Sequence, residues 1–152
     1  MRYYINIGSN LGDRRLNISR AIAAVEKRYG YFELSKAVES EPWGFDSTNS
    51  FLNVGMMFET DSEPLDVLHS LQEIESAISP DPHRNPDGSY ADRRLDIDIM
   101  AIRGDGHDGM PGEAVEIDTE ELKVPHPHLF DRPFFIGPLR ELLDGEKEKA
   151  EN

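Results

Sequence analysis

"DRRLDIDIM", residues 92–100, sets the problem of this chain. Leu95, Ile97 and Ile99 alternate with Asp96 and Asp98. In a strand, residues two apart point the same way. The aliphatics therefore face a core, and the two carboxylates project together from the other side. Like charges held that close repel and raise each other's pKa. A divalent cation relieves the repulsion, and Mg²⁺ takes one or two carboxylates and fills its octahedron with water and phosphate oxygens. On the pair alone, a merely solvated strand face stays open, because D-x-D is a short pattern.

Outward from this strand, the chain reads as alternating elements. "RYYINIGS" sets Tyr3, Ile5 and Ile7 against Arg2, Tyr4 and Asn6, a first strand. "SNLGD" supplies turn and cap residues. A helix over about 13–29 places Ile18, Ala21, Ile22, Val25 and Tyr29 on one face. A β-rich run near 31–40, the loop "SEPWGFDSTNS" and the strand "FLNVGMMFET" follow. Ser62 is expected to cap a second helix with Pro64 in its first turn and a stripe of Leu65, Leu68, Leu71, Ile74 and Ile78. The order β-α-β-β-α-β, then further C-terminal elements, predicts an α+β sandwich of ferredoxin-like type. Residues 1–143 read as one domain, 103–114 as a glycine-rich inserted loop, and 144–152 as a charged tail expected to fray.

Composition narrows the function. A net charge of −14 argues against a duplex nucleic-acid or anionic-membrane partner, though not against a small anion in a local field. The chain has no cysteine, which removes disulfides, thiolate metal sites and a thiol nucleophile. "MRYYINIGSN" shows no signal peptide, and no apolar run reaches membrane-spanning length. A soluble, cytoplasmic protein is expected; a monomer is compatible with the sequence, which leaves oligomeric state open.

Two further constellations carry chemistry. In "VPHPHLFDRPFF", Arg132 could clamp a phosphate bidentately and His126 could donate to a phosphate oxygen, or the segment could be a rigid proline loop. In "SEPWGF" with "FLN", Trp43, Phe51 and Asn53 could form a slot for a flat, hydrogen-bonding heterocycle, or be core aromatics beside a turn. There is no Walker A sequence, a His/carboxylate zinc site is poorly spaced, and "GDGHDG" lacks the spacing and final Glu of a calcium loop.

Taken in order, "INIGSNLGD", "SEPWGF", "FLN", "RRLDIDIM" and "VPHPHLFDRPFFIGPL" closely resemble the hydroxymethyl-dihydropterin pyrophosphokinase family over about residues 3–143. The resemblance implies transfer of pyrophosphate from ATP to 6-hydroxymethyl-7,8-dihydropterin, with AMP released. It implies two Mg²⁺ on Asp96 and Asp98. ATP would meet Gln72, Glu75, Arg93, Ile99, His126 and Arg132, with Arg93 and Arg84 as the catalytic cations. The pterin would lie between Phe51 and Phe134, its edge read by Asn53, with Ser40, Pro42 and Trp43 as wall. "AISPD" lacks the family's usual loop arginine, with Arg84 or His83 the available substitutes; Tyr90 in "SYADR" replaces a stacking tryptophan. The loop 79–92 is expected to close over both substrates. Parity would put Arg94 on the carboxylate face, whereas the family pattern selects Arg93, with the strand starting after it. Two other readings remain: another Mg²⁺-dependent transferase, which would not need the aromatic slot, and a non-catalytic ferredoxin-like binding domain.

Overall fold

The computed structural model describes residues 1–41, 50–79, 94–106 and 112–151. Pro42, Trp43, His83, Arg84, Tyr90 and Arg93 lie outside the described residues. The elements are β1 (Arg2–Ser9), α1 (Arg14–Tyr29), β2 (Phe32–Leu34), β3 (Val38–Ser40), β4 (Phe51–Glu59), α2 (Pro64–Ile78), β5 (Asp96–Arg103), β6 (Ile117–Asp118), β7 (Lys123–Val124) and α3 (Pro133–Glu151). β2, β4, β1 and β5 lie side by side in that order, β3 also pairs with β4, and every pairing is antiparallel. The arrangement is α+β, with β6 and β7 forming a separate hairpin.

α1 starts where Asp13 accepts a hydrogen bond from the Leu16 amide at 3.1 Å. It stops at Gly30, whose positive φ of 82° suits glycine and whose N–H reaches Glu26 O. Ile18, Ala21 and Val25 are buried, as the helical spacing predicts. The second helix corrects its expected start: Glu63, not Ser62, is the N-cap, without a side-chain cap bond. Thr60 and Ser62 bond each other in the turn before it. The buried stripe is also rotated, with Val67 buried and Leu65 exposed. The run 31–40 divides into β2 and β3 at Ser35, whose hydroxyl accepts from Gly55 N at 2.8 Å.

The first strand alternates in sequence yet is buried on both faces from Tyr3 to Ser9. Tyr3, Ile5 and Ile7 join Ile97, Ile99 and the stripes of α1 and α2 in the main core. Tyr4 joins Met57, Met100, Leu129, Phe135, Leu139 and Leu142 in a second core under α3. Sequence pattern did not mark α3 as a helix, because Pro138 and two glycines interrupt it. Pro138 lies over Gly55, where an added Cβ would come 2.8 Å from the Pro138 Cβ. Where a charged, fraying tail was expected, α3 runs on to Glu151. The buried Tyr4 hydroxyl donates to Glu146 Oε1 at 2.8 Å, and Arg2 pairs with the same carboxylate at 3.2 Å. Among the described residues no helix is long and apolar enough to cross a membrane.

A side chain at Gly55 should push α3 off the sheet. Gly55→Ala is expected to lower stability by about 1–3 kcal/mol, the usual range for overpacking, read as a lower urea midpoint. A midpoint equal to the native protein's would show that α3 yields freely there.

Candidate functional site

Residues opposite one another in an antiparallel pair share a face. The registers therefore stack the sheet face beneath α3 in rows. Tyr4 lies opposite Met57 and Ala101; Asn6 lies opposite Gly55 and Asp98; Gly8 lies opposite Asn53 and Asp96. A bulge between Tyr4 and Ile5 inserts Met100, so β5 contributes both Met100 and Ala101 beside Tyr4. Along this face the apolar row sits under α3, and the polar rows follow. Asp96 and Asp98 are on it, half-buried, while Leu95, Ile97 and Ile99 are buried on the other side, as the alternation predicts.

On the β4 side the amides are tightly held. Asn53 Nδ2 donates to Ser40 Oγ at 2.8 Å and to Val38 O at 3.3 Å, and Asn6 Nδ2 donates to Asn53 Oδ1 at 3.3 Å. Gly8 forms the floor between them. A Cβ there would sit 3.0 Å from Asn53 Oδ1 and 3.5 Å from the Phe51 ring. Arg14 braces the strands behind the slot, donating to the Ser50 carbonyl at 3.1 Å and pairing with Glu39 at 3.2 Å.

On the β5 side, His126 N donates to Met100 O at 2.9 Å, just after the cis Val124–Pro125 bond. Its Nε2 lies 3.7 Å from Asp98 Oδ1, beyond hydrogen-bond reach. Burial, then the nearby Arg132 cation and His128, push the imidazole down to about 4, so it is neutral at physiological pH despite the carboxylate. Nδ1 accepts from the His128 amide at 3.1 Å. A neutral ring with an accepting Nδ1 carries its hydrogen on Nε2, which faces the carboxylates. The His126 ring meets Phe135 edge-on at 4.9 Å, and the Arg132 guanidinium lies 4.9 Å from Phe135 and 5.8 Å from Phe134.

The structure thus brings Ser40, Phe51, Asn53, Asp96, Asp98 and His126 onto one face and its rim, with Arg132 and Phe134 adjoining through Phe135. The other candidates are placed differently. Ile99 is buried in the main core, and Gln72 is exposed on α2. Glu75 is only 7 % exposed, and its Oε2 accepts from the Ile97 amide at 3.0 Å. β5 is the sheet edge, so this carboxylate occupies a strand amide between the two aspartates. β5 begins at Asp96, after Arg93 as expected; Arg94 also precedes it, so strand parity does not decide between the arginines. The Arg94 Nε lies 3.9 Å from the Cβ position of Gly12.

Asn6, Gly8 and Arg14 were not singled out from sequence. Only Asn6 left a trace, as an amide in an apolar strand. Among the described residues no three or more His, Asp or Glu side chains gather as a metal cage. The donor set at Asp96 and Asp98 fits an ion that takes its remaining ligands from water or substrate.

This combination of an α+β sheet, paired strand carboxylates and an aromatic–amide slot describes a nucleotide-dependent transferase class. A family model for 7,8-dihydro-6-hydroxymethylpterin-pyrophosphokinase matches residues 4–144, and the chain belongs to that family. It is similar to the 2-amino-4-hydroxy-6-hydroxymethyldihydropteridine pyrophosphokinase of Porphyromonas gingivalis, 36% identical over 140 residues, 91% of this chain and 88% of the relative. Proteins with the same name from Aquifex aeolicus and Bacillus subtilis are 32% identical over 139 residues and 28% over 149. They match 91% and 97% of this chain, and 78% and 81% of their own lengths.

Glu75 is expected to hold the carboxylate strand. Glu75→Ala leaves the Ile97 amide without its acceptor, a loss of about 1–3 kcal/mol, whereas Glu75→Gln keeps an oxygen for it. Thermal unfolding and hydrogen exchange at the Ile97 amide would report this. Equal protection in both variants would show that Glu75 does not hold the strand.

Proposed function

We propose that this chain transfers pyrophosphate from ATP to 6-hydroxymethyl-7,8-dihydropterin, releasing AMP, as a step of folate biosynthesis. The observation that carries the reading is that the D-x-D carboxylates and the Asn53 slot lie on one sheet face, in adjoining rows. An acceptor heterocycle held at Phe51 and Asn53 would therefore lie next to phosphates held at Asp96 and Asp98. A nucleotidyltransferase would not need that slot. The sheet order β2-β4-β1-β5, with helices after β1 and β4, supports a ferredoxin-like arrangement. The bridge between Arg103 and Ala114 supports 103–114 as an inserted loop on a single domain spanning 1–143.

In this reaction the pterin hydroxymethyl oxygen attacks the β-phosphorus, and the bond to the α-phosphate oxygen breaks. Such transfers ask mainly for positioning and charge neutralisation. Asp96 and Asp98 would hold Mg²⁺, two ions in this reading, which neutralises phosphate charge when bound. His126, neutral with its hydrogen on Nε2, is a donor for a phosphate oxygen rather than a base. Arg132, with its guanidinium carbon 4.9 Å from the centre of the Phe135 ring, would donate to phosphate. Asn53 and Ser40 would orient the pterin, with Phe51 and Phe134 on its faces and Pro42 and Trp43 as wall. The assignments of Gln72, Glu75, Ile99, Arg93 and Arg84 to the nucleotide rest on the family resemblance. A cytoplasmic location belongs to the same proposal.

AMP release from ATP should require the reduced pterin. Asp96→Asn and Asp98→Asn should each lower turnover by orders of magnitude, since each removes a charged ligand beside the reacting phosphates. Native turnover in either variant at saturating Mg²⁺ would refute the site. Asn53→Ala should weaken pterin binding by about 1–3 kcal/mol, the loss from unpaired polar groups, and spare ATP. Calorimetry showing equal weakening of both ligands would count against the slot.

A further inference from the structure

The amides on the sheet face have a defined polarity. Val38 O can only accept, so the Asn53 atom 3.3 Å from it is the NH₂ group, which also donates to Ser40 Oγ at 2.8 Å. Both Asn53 donor hydrogens are thereby used. Its Oδ1 faces Asn6, so the Asn6 atom 3.3 Å away is Nδ2. That fixes Asn6 in turn: its Oδ1 is turned away from Asn53. Asn6 is 2 % exposed, and this oxygen has no hydrogen-bond partner among the described residues. Buried acceptors left unmade are costly and uncommon. Gly8 lets both amides lie close to the β1 backbone; a Cβ there would come 3.0 Å from Asn53 Oδ1 and 3.8 Å from Asn6 Nδ2.

We propose that Asn6 is a specificity-determining residue: with Asn53 it supplies a pair of amide oxygens that selects the heterocycle by its N–H donors. Asn6 contributes its own Oδ1, while Val38 O sets the polarity of the Asn53 amide. The proposal rests on the pterin reading of the slot. A dihydropterin carries N–H donors at its 2-amino group, N3 and N8, and acceptors at N1, N5 and the 4-oxygen. With the Asn53 NH₂ committed to Ser40 and Val38, and one Asn6 N–H committed to Asn53 Oδ1, the two amide oxygens of the pair offer that ring their lone pairs. An acceptor edge would be repelled there, and a donor edge satisfied.

The test is a cycle between protein and ligand. Binding of 6-hydroxymethyl-7,8-dihydropterin and of its 2-desamino, 3-deaza and 8-deaza analogues is measured by calorimetry on the native chain and on Asn6→Ala. The 2-desamino analogue deletes the amino donor group, and the 3-deaza and 8-deaza analogues each delete one ring N–H, without adding bulk. In the native chain one deletion should weaken binding at least tenfold. In Asn6→Ala the parent should bind about tenfold more weakly, and the penalty for that same deletion should fall to about twofold or less. Affinity for a non-hydrolysable ATP analogue should not change. Asn6→Ser is carried alongside and serves if Asn6→Ala does not fold. Equal pterin affinity in native and variant chains, or the same deletion penalty in both, overturns the proposal. So does an Asn6 effect seen only with Mg²⁺ and nucleotide present, which would assign the oxygen to a metal-bound water. Failure of the native chain to bind the reduced pterin at all would instead refute the pyrophosphokinase reading.

Discussion

β1 is hydrogen-bonded along both edges, and its register with β4 and β5 is the constraint on which the candidate site depends. Asn6 opposite Asp98, and Gly8 opposite both Asp96 and Asn53, bring carboxylates from one side strand and amides from the other onto a common face. Because side chains alternate, a slip of one residue in either pairing would send one group to the opposite face. The main core opposes such a slip, since Ile97 and Ile99 would then leave the packing of α1 and α2. Glu75 adds a second restraint by occupying the Ile97 amide on the open edge of β5.

The same face serves two purposes because α3 covers only part of it. Gly55 lets Pro138 approach the sheet, and the aromatic and aliphatic residues of α3 close over Tyr4, Met57 and Met100. Beyond that cover the face turns polar. His126 stands at the boundary, with its ring against Phe135 in the second core and its Nε2 toward Asp98. Partial burial there keeps the imidazole neutral next to a carboxylate, so it can donate without adding a charge that varies near neutral pH.

An acidic chain that takes a polyanionic substrate must rely on short-range interactions. At a net charge of −14 the overall field does not attract nucleotide, and salt screens it beyond roughly 10 Å at 0.1 M. In the proposed reading, attraction would come from groups in contact: Arg132 beside Phe135, the His126 donor, and cations between carboxylate and phosphate. A guanidinium packed beside a ring loses less rotamer entropy on binding, which favours binding where long-range steering gives none.

The sequence by itself determined the elements whose pattern is local. Alternation in 92–100 identified the face of Asp96 and Asp98, and helical spacing located α1 and most of α2. The motif order identified the family. Alternation located the first strand but did not show that both its faces are buried, because the cover of the second face comes from α3, more than 120 residues away. α3 itself was illegible because its proline and glycines violate helix preferences; Pro138 packs on Gly55, a contact that no local pattern reveals. Tertiary structure alone decided the contacts of Glu75 and Asn6. A carboxylate on a helix reads as solvated until a strand amide is found beside it, and a lone amide in a strand has no meaning until its cross-strand neighbours are known. Hydrogen-bond satisfaction in a buried site is a property of the whole set of partners, and those partners come from strands far apart in the chain.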